Sequence, residues 1–110
     1  MDFGLRQQDV AEIINIFRQF SSVEEALIFG SRAKGTYKKG SDIDIAIKGR
    51  EIDHKLVMAL SSRFNEETTM PYFFDIVHYD ALTDPELRAH IDRVGKRIFL
   101  SEDLTERTKD

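Results

Sequence analysis

Apolar positions along this chain fall into two rhythms, and each rhythm predicts a different element. From Arg6 to Phe20, Val10, Ile13, Ile14, Phe17 and Phe20 recur at three- and four-residue steps, with Arg and Gln between them. That spacing predicts an amphipathic helix, ended by Ser21-Ser22. Asp53 to Asn65 repeats the rhythm, with Leu56, Val57, Leu60 and Phe64 inward and Asp53 placed to cap. Asp84-Pro85 is a helix start: a capping carboxylate, then proline at the first helical position. This helix is predicted to reach Val94, with Leu87, Ile91 and Val94 inward and Gly95 as its stop.

The second rhythm is short and extended. Ala26 to Phe29 is an apolar run stopped by glycine and predicts a buried strand. Ile43 to Ile47 and Tyr72 to His78 predict two more, and Arg97 to Leu100 a short final one. Ser31 to Lys34 has room for one helical turn closed by Gly35, and Thr36 to Gly40 is a basic loop. Strands separated by helices predict an α/β or α+β two-layer domain. Residues 1–100 are expected to form it, with 101–110 as a polar C-terminal tail.

Composition narrows this picture modestly. A chain of 110 residues with 41% hydrophobic content supports one core, without a further domain to recognise a large acceptor. A net charge of -4 argues against general or sequence-specific nucleic-acid binding. The chain has no cysteine, so neither a disulfide framework nor a thiolate metal site is available. No apolar run approaches membrane-span length, and the expectation is a cytoplasmic protein.

The chemistry concentrates in one stretch. Gly30-Ser31 is followed by ten residues and then Asp42-Ile43-Asp44. On a strand, residues two apart share a face, so Asp42 and Asp44 project together while Ile43 and Ile45 point into the core. Paired carboxylates repel unless a cation joins them. Mg²⁺ takes carboxylate and water oxygens and is completed by substrate phosphates. Asp75, 31 residues after Asp44 and within a third apolar run, can close such a site and accept the proton of an attacking hydroxyl. Two Mg²⁺ ions sharing these carboxylates can activate the attacking oxygen and neutralise a leaving pyrophosphate. Backbone N–H groups at Gly30-Ser31 can meet phosphate oxygens, and the Ser31 hydroxyl adds a donor. Arg32, Lys34, Lys38 and Lys39 are the cations available to a triphosphate, unranked by sequence, and Ser41 shapes the turn before Asp42.

Each of these residues taken singly has an ordinary explanation as a surface charge or a strand end. Together, the three aspartates behind Gly-Ser outweigh it. Phe29, Tyr72, Phe73 and Phe74 read as core or rim packing. His54, His78 and His90 are isolated, and none reads as a ligand.

The residues LIFGSRAKGTYKKGSDIDIAI, followed by FFDIV, resemble the DNA polymerase β-like nucleotidyltransferase superfamily. Within it they are most similar to the minimal nucleotidyltransferases, or MNT proteins, found in HEPN–MNT toxin–antitoxin pairs. The resemblance implies a nucleotidyltransferase fold with a mixed sheet backed by helices. It implies transfer of AMP from ATP to a hydroxyl acceptor with release of pyrophosphate. By the same resemblance Gly30 and Ser31 contact the nucleotide, and Asp42, Asp44 and Asp75 ligate metal. It also implies a HEPN-type partner protein carrying the acceptor hydroxyl. Two other readings stay open at this stage. One is a non-catalytic module that neutralises a toxin by covering it. The other is a small-molecule adenylyltransferase of the aminoglycoside type, in which a homo-oligomer supplies a missing wall.

Overall fold

A computed structural model describes residues 3–102. The expected polar tail, apart from Ser101 and Glu102, lies outside the described residues. The chain runs α1 (Gln7–Arg18), β1 (Glu25–Phe29), α2 (Gly30–Lys34), β2 (Ile43–Lys48), α3 (His54–Glu66), β3 (Phe74–His78), α4 (Pro85–Val94) and β4 (Lys96–Leu100). A 3₁₀ turn at Tyr79–Ala81 leads from β3 towards α4.

The four strands form one mixed sheet in the order β3-β2-β1-β4. β1 lies antiparallel to both β2 and β4, while β2 and β3 run parallel. A parallel neighbour needs a crossover, and α3 supplies it. The sheet is therefore mixed and backed by helices, the fold that the resemblance implies.

Alternation along the strands sorts the two faces. Ile43, Ile45 and Ile47 of β2, with Phe74 and Ile76 of β3, join the main core, which Ile13, Ile16 and Phe17 of α1 and Leu60 and Phe64 of α3 complete. Phe17, Phe64, Phe74 and Phe99 pack as a chain of rings with centroids 4.7 to 5.6 Å apart. Burial of such rings is the largest single source of stability in a small domain. The opposite face is thinner. Phe29, Ala46 and Ile91 of α4 are buried there, with Val77, Tyr79 and Leu87 around them.

Helix starts follow the predicted chemistry. Asp53 Oδ1 accepts from the Leu56 N–H at 2.8 Å, and Asp84 Oδ1 from Glu86 N–H at 2.9 Å. α1 starts differently: the buried Asp9 accepts from the Arg6 backbone N–H and is paired to the Arg6 guanidinium at 2.9 Å. β3 begins at Phe74, two residues later than its apolar run predicts, because Met70-Pro71 turns the chain and the Tyr72 ring packs on the core. Gly95 ends α4 in an extended rather than left-handed conformation, with φ of -60°. Among the described residues no helix is long and apolar enough to cross a membrane.

Candidate active site

The carboxylates gather where β2 and β3 begin, on the sheet face that carries α4. Asp44 lies directly across from Asp75 in the parallel register, and across from Phe29 in the antiparallel one. Asp42 precedes β2 and is exposed, as is Asp75, while Asp44 is partly buried. Burial, then the charges of Asp75 and Asp42, push the Asp44 carboxyl above its ordinary value of 3.8. Three negative groups thus influence one another at one sheet end. They do not converge into a ready-made metal cluster: among the described residues no three His, Cys, Asp or Glu side chains do. The donor set still fits a hard divalent cation. All the groups are carboxylate oxygens, and the repulsion felt by Asp44 is the field a cation would relieve.

The Gly-Ser turn sits against the same carboxylates. β1 ends at Phe29, and Gly30 opens α2 with φ of +71°, which favours glycine. A β-carbon at Gly30 would overlap Asp44 Oδ2, so the glycine also makes room for that carboxylate. Ser31 follows as the second residue of α2 and is partly buried. Gly35, at φ of +82°, closes the short helix as its pattern predicts.

One partner of this turn was not legible as such in the sequence. The Gly30 N–H donates to Nε2 of His90 at 3.2 Å, across sixty positions of chain. The His90 ring also meets Phe29 edge-on, with centroids 6.0 Å apart. An isolated histidine on an amphipathic helix gives no ligand-type signal. Only the packing of α4 over the end of β1 assigns His90 a role.

Three of the four candidate cations line a cavity that none of the three aspartates lines. Arg32, expected on the triphosphate, is 3% exposed. Its guanidinium donates to the Ser41 carbonyl from Nε and Nη2 and to the Phe3 carbonyl from Nη1. It lies between the Tyr37 and Tyr72 rings, 5.2 and 4.9 Å from their centroids. Arg32 is thus placed with its fork holding the loop through these carbonyls. Lys38 and Lys39 line a cavity with Arg32, and none of Gly30, Ser31, Asp42, Asp44 or Asp75 lines it. Lys34 is exposed at the end of α2. Ser41 does shape the turn before Asp42, since its hydroxyl accepts from the Lys38 N–H at 2.8 Å.

A mixed sheet carrying a Gly-Ser turn at the end of one strand and acidic residues at the start of the next two defines a nucleotidyltransferase-type domain. The chain belongs to the polymerase β nucleotidyltransferase family, whose model matches residues 11–104. No curated protein matches it.

Solved structures agree on the fold. A chain of a toxin–antitoxin complex with AMP-PNP is 22% identical, with a TM-score of 0.71 over 89% of this chain and 78% of that one. A chain of the MntA–HepT toxin–antitoxin complex is 19% identical, with a TM-score of 0.66 over 92% and 78%. A third match comes from the complex of a tri-AMPylated Shewanella oneidensis HEPN toxin with MNT antitoxin. It is 20% identical, with a TM-score of 0.66 over 91% and 76%. All three solved chains come from toxin–antitoxin complexes, and at these identities the likeness is one of fold.

Proposed function

We propose that this protein is a metal-dependent nucleotidyltransferase that moves AMP from ATP to a hydroxyl of a HEPN-type partner protein, as an antitoxin. The observation that carries the reading is the juxtaposition of Asp44 with Asp75 in strand register, beside a glycine that leaves room for the Asp44 carboxylate. The neighbours support the finer detail: one complex holds AMP-PNP, and another contains a tri-AMPylated toxin.

In this reading the Gly30-Ser31 turn holds the phosphates through the Ser31 N–H and hydroxyl, while the Gly30 N–H, given to His90, steadies the turn. Asp42, Asp44 and Asp75 would hold Mg²⁺, which when bound neutralises phosphate charge and lowers the cost of forming the attacking alkoxide. The acceptor oxygen bonds to the α-phosphorus. The bond from that phosphorus to the bridging oxygen breaks, and pyrophosphate leaves with its electron pair. The acceptor proton passes to Asp75, the exposed carboxylate on the edge strand.

One observation favours a macromolecular acceptor over a small one. Phe73 is 57% exposed and immediately precedes β3, two residues before Asp75. A bare aromatic at the open edge beside the proposed base suits docking by another protein surface.

The test is label transfer from α-labelled ATP with Mg²⁺, on the protein co-expressed with the product of its neighbouring reading frame. Label should appear on the neighbour. The Asp42→Asn/Asp44→Asn variant should lose at least ~100-fold in transfer while still unfolding in one cooperative transition. Undiminished transfer by that variant would remove the aspartates from the mechanism. A stable complex without label in either form would make covering the partner the function.

A further inference from the structure

Arg32 poses a problem that the transfer chemistry leaves unused. A guanidinium carries five N–H donors. At 3% exposure, this one makes three hydrogen bonds, one from each nitrogen, to two backbone carbonyls, those of Phe3 and Ser41. One N–H on each terminal nitrogen remains. Among the described residues, the ion pairs are Arg6–Asp9, Arg50–Glu24 and Arg97–Glu25, so no carboxylate answers the charge of Arg32. Asp9, which approaches through the Tyr72 hydroxyl at 3.5 Å, is already held by Arg6. A buried cation answered only by carbonyl dipoles and ring faces is costly and invites an anion.

The place for one is adjacent. A cavity of about 230 Å³ is lined by Arg32, Lys38 and Lys39, by the Tyr37 and Tyr72 rings, and by Gly4, Gly40 and Pro71. Among the described residues that line it, three carry positive charge and none is acidic. The wall is fitted: Gly4, at φ of +73°, lies so close to the Tyr37 ring that a β-carbon there would overlap it. Sites for drug-sized ligands run from ~300 to 1,000 Å³. This cavity is smaller, which suits a compact anion better than a whole nucleotide.

Its position separates it from the proposed active site. Tyr72 packs with the main core on the α1 and α3 side, whereas Asp44 and Asp75 alternate with core residues and face the α4 side. The two places meet at α2 and the loop after it: Arg32 follows Ser31 within α2, and its acceptor Ser41 precedes Asp42.

We infer that the cavity formed by Arg32, Lys38, Lys39, Tyr37 and Tyr72 is a second site, for a small phosphate-class anion. Lys38 and Lys39 supply flexible ammonium donors, and the fixed Arg32 fork supplies the remaining N–H bonds. The anion has two possible sources, free inorganic phosphate or the pyrophosphate released by nucleotidyl transfer.

The experiment titrates the full-length protein, free of divalent metal and at constant ionic strength, with inorganic phosphate and separately with pyrophosphate. Heat is read by calorimetry and the Arg32 Nε–H by ¹⁵N–¹H NMR. Arg32 substitutions risk the fold, so the informative variant is Lys38→Gln/Lys39→Gln, at two exposed positions. Binding should shift the Arg32 signal, weaken about tenfold or more in that variant, and persist in Asp42→Asn/Asp44→Asn. Saturation by pyrophosphate at a tenth of the phosphate concentration would identify the reaction product as the occupant; equal saturation would identify phosphate. Absence of any Arg32 shift up to about 10 mM of either anion would overturn the site. So would binding that survives loss of the lysines but disappears with the aspartates, because the anion would then belong to the carboxylate side.

Discussion

His90 shows how much one side chain can contribute without touching chemistry. It accepts the N–H of Gly30 at 3.2 Å, a backbone group that opens α2 and has no acceptor within that helix. The same ring braces Phe29, the last residue of β1. Replacing His90 by phenylalanine keeps a ring and removes the acceptor. The expected cost is about 1 kcal/mol in urea unfolding, with weaker binding of a fluorescent ATP analogue. His90→Gln restores an acceptor and should recover most of both. Equal affinity in all three proteins would show that the turn is set by Gly30 and Asp44 alone. None of this was readable from sequence, where His90 is one more polar residue on an amphipathic helix. Arg32 carries the same lesson in reverse. Its place beside Gly-Ser suggested phosphate, and only the meeting of Phe3, Tyr37, Ser41 and Tyr72 around it reveals its burial.

At the scale of elements, α4 links stability to the turn. Asp84 caps it, accepting from Glu86 N–H at 2.9 Å and Leu87 N–H at 3.4 Å, and Pro85 fixes its first residue. The helix seats Ile91 against Phe29 and Ala46 and brings His90 to Gly30. Asp84→Ala should cost about 1 kcal/mol by thermal or urea unfolding, while Asp84→Ser retains most of the cap. Well below the melting point, nucleotide affinity should be unchanged, since the helix still docks. A large affinity loss at full folding would mean that the cap also sets the position of His90. Elements of this kind were legible in the sequence because caps, proline and periodicity are local signals. All eight regular elements fall where apolar rhythm and punctuation predict them, within a few residues at their ends. Sheet order was not legible. That β1 lies between β2 and β4, and that β3 joins β2 in parallel, depends on pairings between distant residues. The 3₁₀ turn at Tyr79–Ala81 was missed as well, because Tyr79 is held by contacts outside its own segment. Its hydroxyl donates to Asp92, and Lys48 and Arg88 lie over its ring.

At the scale of the whole molecule, the proposed site is a source of instability that the core must offset. Asp44 is held above its ordinary value of 3.8 by burial and by Asp75 and Asp42. The sign follows from linkage. The unfolded chain releases this proton at its ordinary value, and the folded protein keeps it to higher pH. Folding therefore carries no penalty from Asp44 below 3.8. The penalty grows as pH rises through the folded value and is complete above it. Without divalent metal, Asp44→Asn should melt higher than the native protein at pH 7, and the gap should close as pH falls towards 3.8. Mg²⁺ should reverse the order by raising the melting temperature of the native protein and leaving the variant unmoved, since a cation removes the repulsion only where the carboxylate is present. A variant that melts lower than the native protein at pH 7 without metal would show that Asp44 is held by favourable contacts. That would remove the uncompensated burial and repulsion of Asp44 from the grounds for a cation there, leaving the register of Asp44 and Asp75. The scale of the effect sets its meaning: a domain of this size has only ~5–15 kcal/mol of net stability, so a site that keeps like charges together at its own expense points to a bound state that repays them.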